Sequence, residues 1–110
     1  MNDKKLIRLK FRDDCLTRDS LTCKICGRKA KDKQEAEKIF NIHHITDRSL
    51  MPGGGYVKEN GITLCEEGCH MKAEQFHITG KALPGLLPDD LYKIINSSYE
   101  RALNASKKLK

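Results

Sequence analysis

The sequence predicts a small α+β domain that a bound metal ion helps to hold together. The 110-residue chain has 38% hydrophobic and 5% aromatic residues and no tryptophan, so its core gives only marginal stability. Helical periodicity lies towards both ends of the chain, and strand-forming residues lie between them. Two close cysteine pairs, Cys23/Cys26 and Cys65/Cys69, supply four ligands of the kind that zinc prefers.

The first and last elements are predicted to be amphipathic helices. Over residues 4–18, Ile7, Phe11 and Cys15 recur at four-residue spacing and form one apolar face. Cys15 is therefore expected to be an inert core residue. A C-terminal helix over about residues 89–107 begins with aspartates and ends with lysines, as the helix dipole prefers. This last helix is expected either to pack on the core or to bind a protein partner.

The segment between these helices predicts a β-hairpin followed by a short helix. Residues 39–45 have the β-branched and aromatic content of a strand, and residues 62–64 form a second strand. The short helix is expected over about residues 68–76. The charged residues 28–38 are expected to form a loop. We predict one domain over residues 1–110.

The paired cysteines predict a structural zinc site. Thiolates two or three residues apart can bind one ion from a single turn of chain, and such binding contributes directly to folding. The spacing leaves three arrangements open: four cysteine ligands, His70 in place of Cys69, or thiols that are free or disulfide-linked. The N-terminus lacks the hydrophobic region of a signal peptide, so we expect an intracellular, cytoplasmic protein. In such a reducing compartment, close cysteine pairs are typical of metal ligands.

The charge distribution favours a polyanionic partner. The formal charge is +6, from 21 Lys+Arg and 15 Asp+Glu. Residues 1–38 carry 12 basic and 7 acidic side chains, residues 39–89 carry 4 and 6, and residues 90–110 carry 5 and 2. The basic ends suit a nucleic-acid backbone, although such charge can also serve solubility alone. No run approaches the roughly 18 apolar residues needed to cross a bilayer, so no membrane contact is expected.

Three histidines remain beside the cysteines: His43, His44 and His70. An alternating strand sends His43 and His44 to opposite faces, so both can serve one site only at a strand end or kink. There, one imidazole can bind a metal while the other takes a proton from water. A lone histidine on a strand is usually a surface or core residue. The adjacent pair, with His70 on the following helix, favours a metal-assisted hydrolytic site.

Five sequence segments carry a family resemblance. They are Arg18-Asp19, Cys23-x2-Cys26, Ile42-His43-His44-Ile45, Asn60-Gly61-Ile62-Thr63-Leu64-Cys65 and Cys69-His70. In their order and spacing, over a motif core of about residues 18–77, the chain resembles an HNH endonuclease with the ββα-metal motif and zinc-binding cysteines. The resemblance implies a zinc-stapled ββα-metal domain that hydrolyses or nicks DNA phosphodiester bonds.

The resemblance also implies a role for each motif residue. His43 and His70 would bind the catalytic divalent cation, His44 would be the general base, and Asn60 would orient the loop and the hairpin. Many family members have aspartate in place of His43. The resemblance implies that the cation is Mg²⁺, Mn²⁺ or another divalent metal ion such as a transition metal. Because nitrogen is a softer ligand than a carboxylate oxygen, the histidine pair is expected to tolerate zinc, nickel or manganese as well as magnesium.

Two further side chains can join the metal site. One extra residue in the second cysteine pair moves His70 further from Asn60 than is common in the family, which leaves its ligand role open. Glu74 lies four residues after His70 on the same helix face, either as a third ligand or as a solvated charge. His77 is expected just past the helix, in a structural role.

The arginines Arg8, Arg12 and Arg48 are expected to contact DNA phosphates. Such contacts carry no sequence information, and no recognition helix is evident, so the sequence preference is not readable. Small nucleases of this type often take their targeting from a protein partner. The alternative to an enzyme is a non-catalytic zinc module that binds nucleic acid or protein and leaves the histidines idle.

Overall fold

A two-stranded antiparallel sheet forms the centre of the computed structural model, which describes residues 3–109. Strand β1, Phe40–His44, pairs with strand β2, Gly61–Cys65, so that Phe40 lies opposite Cys65 and His44 opposite Gly61. The predicted α+β class and both predicted strands are confirmed. This register places the cysteine end and the histidine end of the motif at opposite ends of one hairpin.

Helix α1, Asp3–Arg18, confirms the predicted first helix and packs its apolar face against the sheet. Phe11 and Cys15 are both buried. A Cβ atom on Gly61 would lie 2.6 Å from Cys15 Sγ and from the Phe11 ring, so only glycine permits this close approach of α1 to β2. Burial raises the pKa of the Cys15 thiol to about 12, which makes it unreactive at neutral pH.

Arg18 and Asp19, at the end of α1, tie the helix to β2. The buried Asp19 carboxylate accepts hydrogen bonds from the Arg18 guanidinium at 2.7 and 2.8 Å and from the backbone N–H of Thr63 at 3.0 Å. Arg18 also donates to the carbonyl of Gly61 at 2.7 Å. Since a buried carboxylate is costly without such partners, the pair fixes the position of β2 relative to α1.

The prediction of a loop over residues 28–38 is wrong for its second half, which forms helix α2, Lys33–Ile39. Asp32 caps the start of this helix by accepting a hydrogen bond from the backbone N–H of Glu35 at 2.8 Å. Ala36 is fully buried. The sequence does not reveal this helix because only Ala36 is buried and most other side chains face solvent. The segment is therefore highly charged and lacks the apolar periodicity by which a helix is recognised.

Helix α3, Cys69–Thr79, follows the second strand and ends three residues later than the sequence predicts. It ends at Gly80, which has the left-handed backbone conformation typical of a helix C-cap. The longer helix brings additional side chains to the face that packs on β1.

The single C-terminal helix predicted over about residues 89–107 is instead two helices, α4 (Pro88–Ile94) and α5 (Tyr99–Ser106). The break occurs at Asn96, which has a φ of 56° and therefore cannot continue a right-handed helix. Ser98 then caps α5 by accepting a hydrogen bond from the backbone N–H of Arg101 at 3.1 Å. The apolar pattern over this segment predicts one helix, but the turn at Asn96 and the cap at Ser98 divide it into two.

Both C-terminal helices pack on the core, which agrees with one of the two expectations for this segment. Leu91 and Tyr92 of α4 and Ala102 of α5 are buried in the same apolar cluster as Phe40 and Ile62 of the sheet. Among the helices of residues 3–109, none is long and apolar enough to cross a membrane.

Candidate metal centres and active-site groove

The four paired cysteines converge where β2 leads into α3. Their sulfur atoms all lie within 4.8 Å of one another, and those of Cys26 and Cys65 are 3.3 Å apart. Tetrahedral zinc with Zn–S bonds of about 2.3 Å needs sulfur atoms about 3.8 Å apart. Cys69 belongs to this set, so its replacement by His70 is not needed. The four cysteines are positioned to form a metal site, and they fit zinc.

The electrostatics of the thiols also fit a bound cation. Burial, with a contribution from neighbouring thiols, raises the pKa of Cys65 to about 12 and that of Cys69 to about 11. Burial also acts to raise the pKa of Cys23, but backbone N–H groups donate to its sulfur and bring the value down to about 7. One thiolate therefore forms readily, whereas Cys65 and Cys69 need the charge of a metal to ionise.

A second cluster of donor atoms lies between β1 and α3. One donor atom from each of His43, Glu74 and His77 lies within 4.8 Å of the other two. Glu74 Oε1 is 3.1 Å from Nδ1 of the buried His43 and 3.4 Å from Nε2 of His70. The His43 and His70 ring centroids are 5.5 Å apart. The Glu74 carboxylate therefore lies between the two histidines that the sequence assigns to the metal.

Glu74 and His77 differ from two of the expectations drawn from the sequence. The Glu74 carboxylate contacts two histidines and is not simply a solvated charge. His77 lies within α3, not past its end. Its ring stacks on that of His43 at 5.0 Å between centroids, and its Nε2 donates to the carbonyl of His44 at 2.8 Å. The spacing of His70, Glu74 and His77 is helical and would identify this face once the helix is extended to Thr79.

The second cluster fits a divalent cation by its donor chemistry. Burial, followed by the neighbouring histidines, lowers the pKa of His43 to about 3, so its imidazole is neutral at pH 7. A neutral imidazole keeps the lone pair that metal binding requires. Together with the Glu74 carboxylate, it provides the mixed nitrogen and oxygen set that first-row divalent metals accept.

Asn41 orients one of these histidines, and the sequence reasoning does not identify it. Its side-chain amide lies 3.2 Å from His70 Nδ1, which leaves His70 Nε2 directed at Glu74. A second hydrogen bond of this kind commonly fixes the ring of a metal-binding histidine. The available signal is strand alternation, because Asn41 precedes His43 by two residues and so shares its face.

His44 lies on the opposite face of β1, as strand alternation predicts. Its ring stacks on Phe11 of α1 at 4.8 Å and meets the ring of Tyr56 edge-on at 4.7 Å. Burial, followed by the positive charge of Arg48, lowers the pKa of His44 to about 4. Its Nε2 is buried and has no hydrogen-bond partner among residues 3–109. A neutral imidazole held in this way can accept a proton.

His44 and His70 both line one groove beside α1, which we call the active-site groove. The groove has a volume of about 410 Å³, and Arg8, Arg12 and Tyr56 are also in its wall. Its lining, within the part of the chain that the structure describes, contains no carboxylate. Basic walls beside neutral imidazoles suit a phosphate backbone.

The three predicted phosphate contacts have different surroundings. The Arg8 guanidinium lies over the Tyr56 ring, 5.4 Å from its centroid, and Arg48 donates to the Tyr56 hydroxyl at 3.0 Å. Arg12 instead donates to the backbone carbonyl of Glu37 at 2.9 Å, which braces α2 against α1. Arg8 and Arg48 thus converge on Tyr56, a residue that the sequence reasoning does not identify.

Asn60 forms the centre of a buried hydrogen-bond network. Its Oδ1 accepts from the backbone N–H of Thr46 at 2.9 Å and from the Tyr92 hydroxyl at 2.7 Å. Its Nδ2 donates to the carbonyls of Thr46 at 3.1 Å and Gly55 at 3.3 Å. A Cβ on Gly55, whose φ is +67°, would lie 2.6 Å from this nitrogen, so a larger residue would break the network. Asn60 thereby fixes the loop that follows His44.

Comparison with known proteins identifies one family. Residues 23–76 match the model of a family described as HNH endonuclease. The match includes all four clustered cysteines together with His43, His44, Asn60, His70 and Glu74, whereas α1, α4 and α5 lie outside it. No curated protein and no solved structure shows significant similarity to the chain.

Proposed function

We propose, from the premise that this chain belongs to the HNH endonuclease family, that it is a divalent-metal-dependent DNA endonuclease. It would hydrolyse or nick phosphodiester bonds, which is one form of the nuclease or nucleic-acid-binding function that an HNH domain indicates. The observation that carries the proposal is the contact of Glu74 with both His43 and His70. His70 shares its groove with the neutral His44.

His43, His70 and Glu74 would hold the catalytic cation, which we propose is Mg²⁺, Mn²⁺ or another divalent transition metal. When bound, such a cation stabilises negative charge on a phosphate and its leaving oxygen. Asn41 keeps the His70 ring in position through its 3.2 Å contact with Nδ1. His77 packs on the His43 ring and holds the backbone of the adjacent residue.

His44 would act as the general base. Its ring is held between Phe11 and Tyr56, and its Nε2 has no competing partner among the described residues. A neutral imidazole whose ring is fixed in this way can take a proton from an attacking water through the nitrogen that faces the groove. Asn60 supports the reaction indirectly, because it fixes the backbone just after His44.

Arg8 and Arg48 would contact the DNA phosphates. Arg12 would contribute less, because its guanidinium already donates a hydrogen bond to the backbone carbonyl of Glu37. The four cysteines would hold a structural zinc ion. Because thiolate ligands need a reducing environment to stay unpaired, we propose an intracellular, cytoplasmic location.

Nicking of supercoiled plasmid DNA with added Mn²⁺ tests the proposal. The wild-type protein is expected to produce open circles, and His44→Ala is expected to lower the rate roughly 100- to 10,000-fold, the usual contribution of a general base. Gln75→Ala, on the exposed side of α3, is the matched control and should cut like the wild type. Equal rates for wild type and His44→Ala would indicate a contaminating nuclease and contradict the proposal.

Metal counting by mass spectrometry separates the enzyme from a non-catalytic zinc module. The proposal expects two sites, one of which is lost when His43 and His70 are both changed to alanine. A single zinc ion that this double change leaves in place would argue against the enzyme and for the module.

A further inference from the structure

We propose that a second groove, which adjoins the active-site groove, binds one unstacked nucleotide next to the phosphate that is cleaved. The inference rests on the proposed endonuclease function. The second groove has a volume of about 510 Å³, within the range of roughly 300–1,000 Å³ typical of small-ligand sites. Arg8 and Tyr56 line both grooves. A strand whose phosphate lies beside His44 can therefore continue past these two side chains into the second groove.

The wall of the second groove is mostly apolar and is already in place. It contains Ile7, the ring of Tyr56 and the backbone of Gly53 and Gly54. A Cβ on Gly54 would lie 2.9 Å from the Tyr56 ring, so a glycine is needed for the loop to lie against that ring. Tyr56 also packs edge-on against Phe11 at 5.4 Å between centroids. A preformed wall needs little ordering when a ligand binds.

The same groove has a cationic lining. Lys4, Arg8 and Arg48 contribute three positive charges, and Asp47 is the one acid among the lining residues of the described chain. The Asp47 carboxylate accepts hydrogen bonds from the hydroxyl of Ser49 at 2.6 Å and from its backbone N–H at 3.3 Å, so its charge is partly compensated locally. The groove therefore favours a ligand with an apolar body and an anionic edge.

A nucleotide has this combination, with its base against the apolar wall and its phosphate against the arginines. A base can reach such a groove only after it has left the duplex stack. The substrate class that follows is single-stranded DNA, or duplex DNA with an unpaired nucleotide beside the cleaved bond. An intact duplex that merely passes over the groove would leave it without a base, and the test distinguishes this case.

The test is the cleavage ladder of an end-labelled single-stranded oligonucleotide that carries one abasic residue. If a base must enter the second groove, the bond at one fixed offset from the abasic residue is cut about 5- to 150-fold more slowly, which corresponds to the stacking contribution of one base. This slower cutting appears as a gap, a weak or missing band in the ladder. The gap should move along the ladder when the abasic residue is moved along the strand. A ladder without a gap would overturn the inference and leave the endonuclease function intact.

Ile7→Trp and Ser49→Trp fill the second groove from two walls, and Leu6→Trp is the matched control. Leu6 neighbours Ile7 on α1, is 49% exposed and does not line the groove. Either filling change should slow cleavage at least fivefold and remove the gap, whereas Leu6→Trp should change neither. Equal behaviour of all three folded variants, checked by thermal melting, would also overturn the inference.

The result for the wild type keeps the two proposals separate. Plasmid nicking without a ladder would overturn only the inference about the second groove. Absence of any ladder, together with absence of plasmid nicking, would contradict the endonuclease function itself. Binding of a short fluorescent oligonucleotide without added metal then decides the groove. Weaker binding by Ile7→Trp than by Leu6→Trp would support nucleotide binding there, and equal binding would overturn it.

Discussion

The cysteine cluster and the histidine cluster lie at opposite ends of the same hairpin and differ in how closed they are. The cysteine cluster has one donor type, and all four of its sulfur atoms are mutual neighbours. The histidine cluster consists of His43, Glu74 and His77, with His70 in contact with Glu74. It combines nitrogen and oxygen donors, and the side chains of His70 and Glu74 are 23% and 32% exposed. Closed sets of four ligands are typical of structural metals, and open sets leave a position for a reacting ligand.

The two clusters also differ in what they need in the absence of a metal. Cys65 and Cys69 hold their protons strongly, because burial raises their pKa values. A bound cation must therefore displace those protons, and its binding free energy adds to the stability of the fold. His43 is already neutral and is in contact with Glu74. We infer that the fold depends on the metal at one end of the hairpin and the chemistry on the metal at the other.

Loss of the cysteine cluster gives the largest expected effect. Cys23→Ser combined with Cys65→Ser should abolish cooperative folding, because a structural zinc ion contributes on the order of 10 kcal/mol, comparable to the whole stability of a small domain. Circular dichroism melting and zinc content measure this change. Cys15→Ala, which removes a buried thiol outside the cluster, is the control. An unchanged melting transition in the double variant would contradict the assignment.

Loss of the carboxylate in the histidine cluster should leave the fold intact and weaken the second metal. Glu74→Ala is expected to lower Mn²⁺ affinity at least tenfold, by analogy with the cost of losing a residue that supports a metal ligand. Calorimetric titration of the zinc-loaded protein measures it. Gln75→Ala should keep the wild-type affinity. If Glu74→Ala instead lost zinc or melted like the cysteine variant, the two ends would not be independent.

Tyr92→Phe gives the smallest expected effect and tests the support of the histidine end alone. It removes the hydroxyl that donates to Asn60 at 2.7 Å and leaves a buried oxygen with one fewer partner. Since Asn60 Oδ1 keeps the hydrogen bond from the Thr46 N–H at 2.9 Å, the expected cost is that of one hydrogen bond, about 0.5–1.5 kcal/mol of unfolding free energy, seen as a lower melting temperature with unchanged zinc content. Tyr99→Phe is the control, because Tyr99 is 48% exposed. Equal melting temperatures would show that the hydroxyl contributes nothing.

The elements that follow from local pattern could be predicted from the sequence. The first helix depends on the repeat of Ile7, Phe11 and Cys15, and the strand β1 on its β-branched and aromatic content. The spacing of the two cysteine pairs predicts a metal site, but the choice between Cys69 and His70 as the fourth ligand needs the folded chain, in which all four sulfur atoms converge. The helical repeat, the strand composition and each cysteine pair involve residues that are close together in the sequence. They can therefore be recognised without knowledge of any long-range contact.

The features that the sequence does not predict depend on contacts between distant segments. The burial of Ala36 depends on how α2 packs against β1. Tyr92 is far in sequence from Asn60, yet its hydroxyl completes the network around that amide. Tyr56 follows a glycine run that indicates only a turn, and its contacts with α1 require the folded chain. Propensity and periodicity carry no information about such pairs.

The hydrogen bond from the Tyr92 hydroxyl of α4 to Asn60 matters for any attempt to transplant the motif into another protein. Residues 23–76, which carry the family match, do not include Tyr92, nor do they include Phe11, on which His44 stacks. A graft of that segment into another scaffold would keep His43, His70 and Glu74 but lose Phe11, Tyr92 and also His77, which stacks on His43. The unit that would have to be transferred is therefore larger than residues 23–76, and it includes α1 and α4.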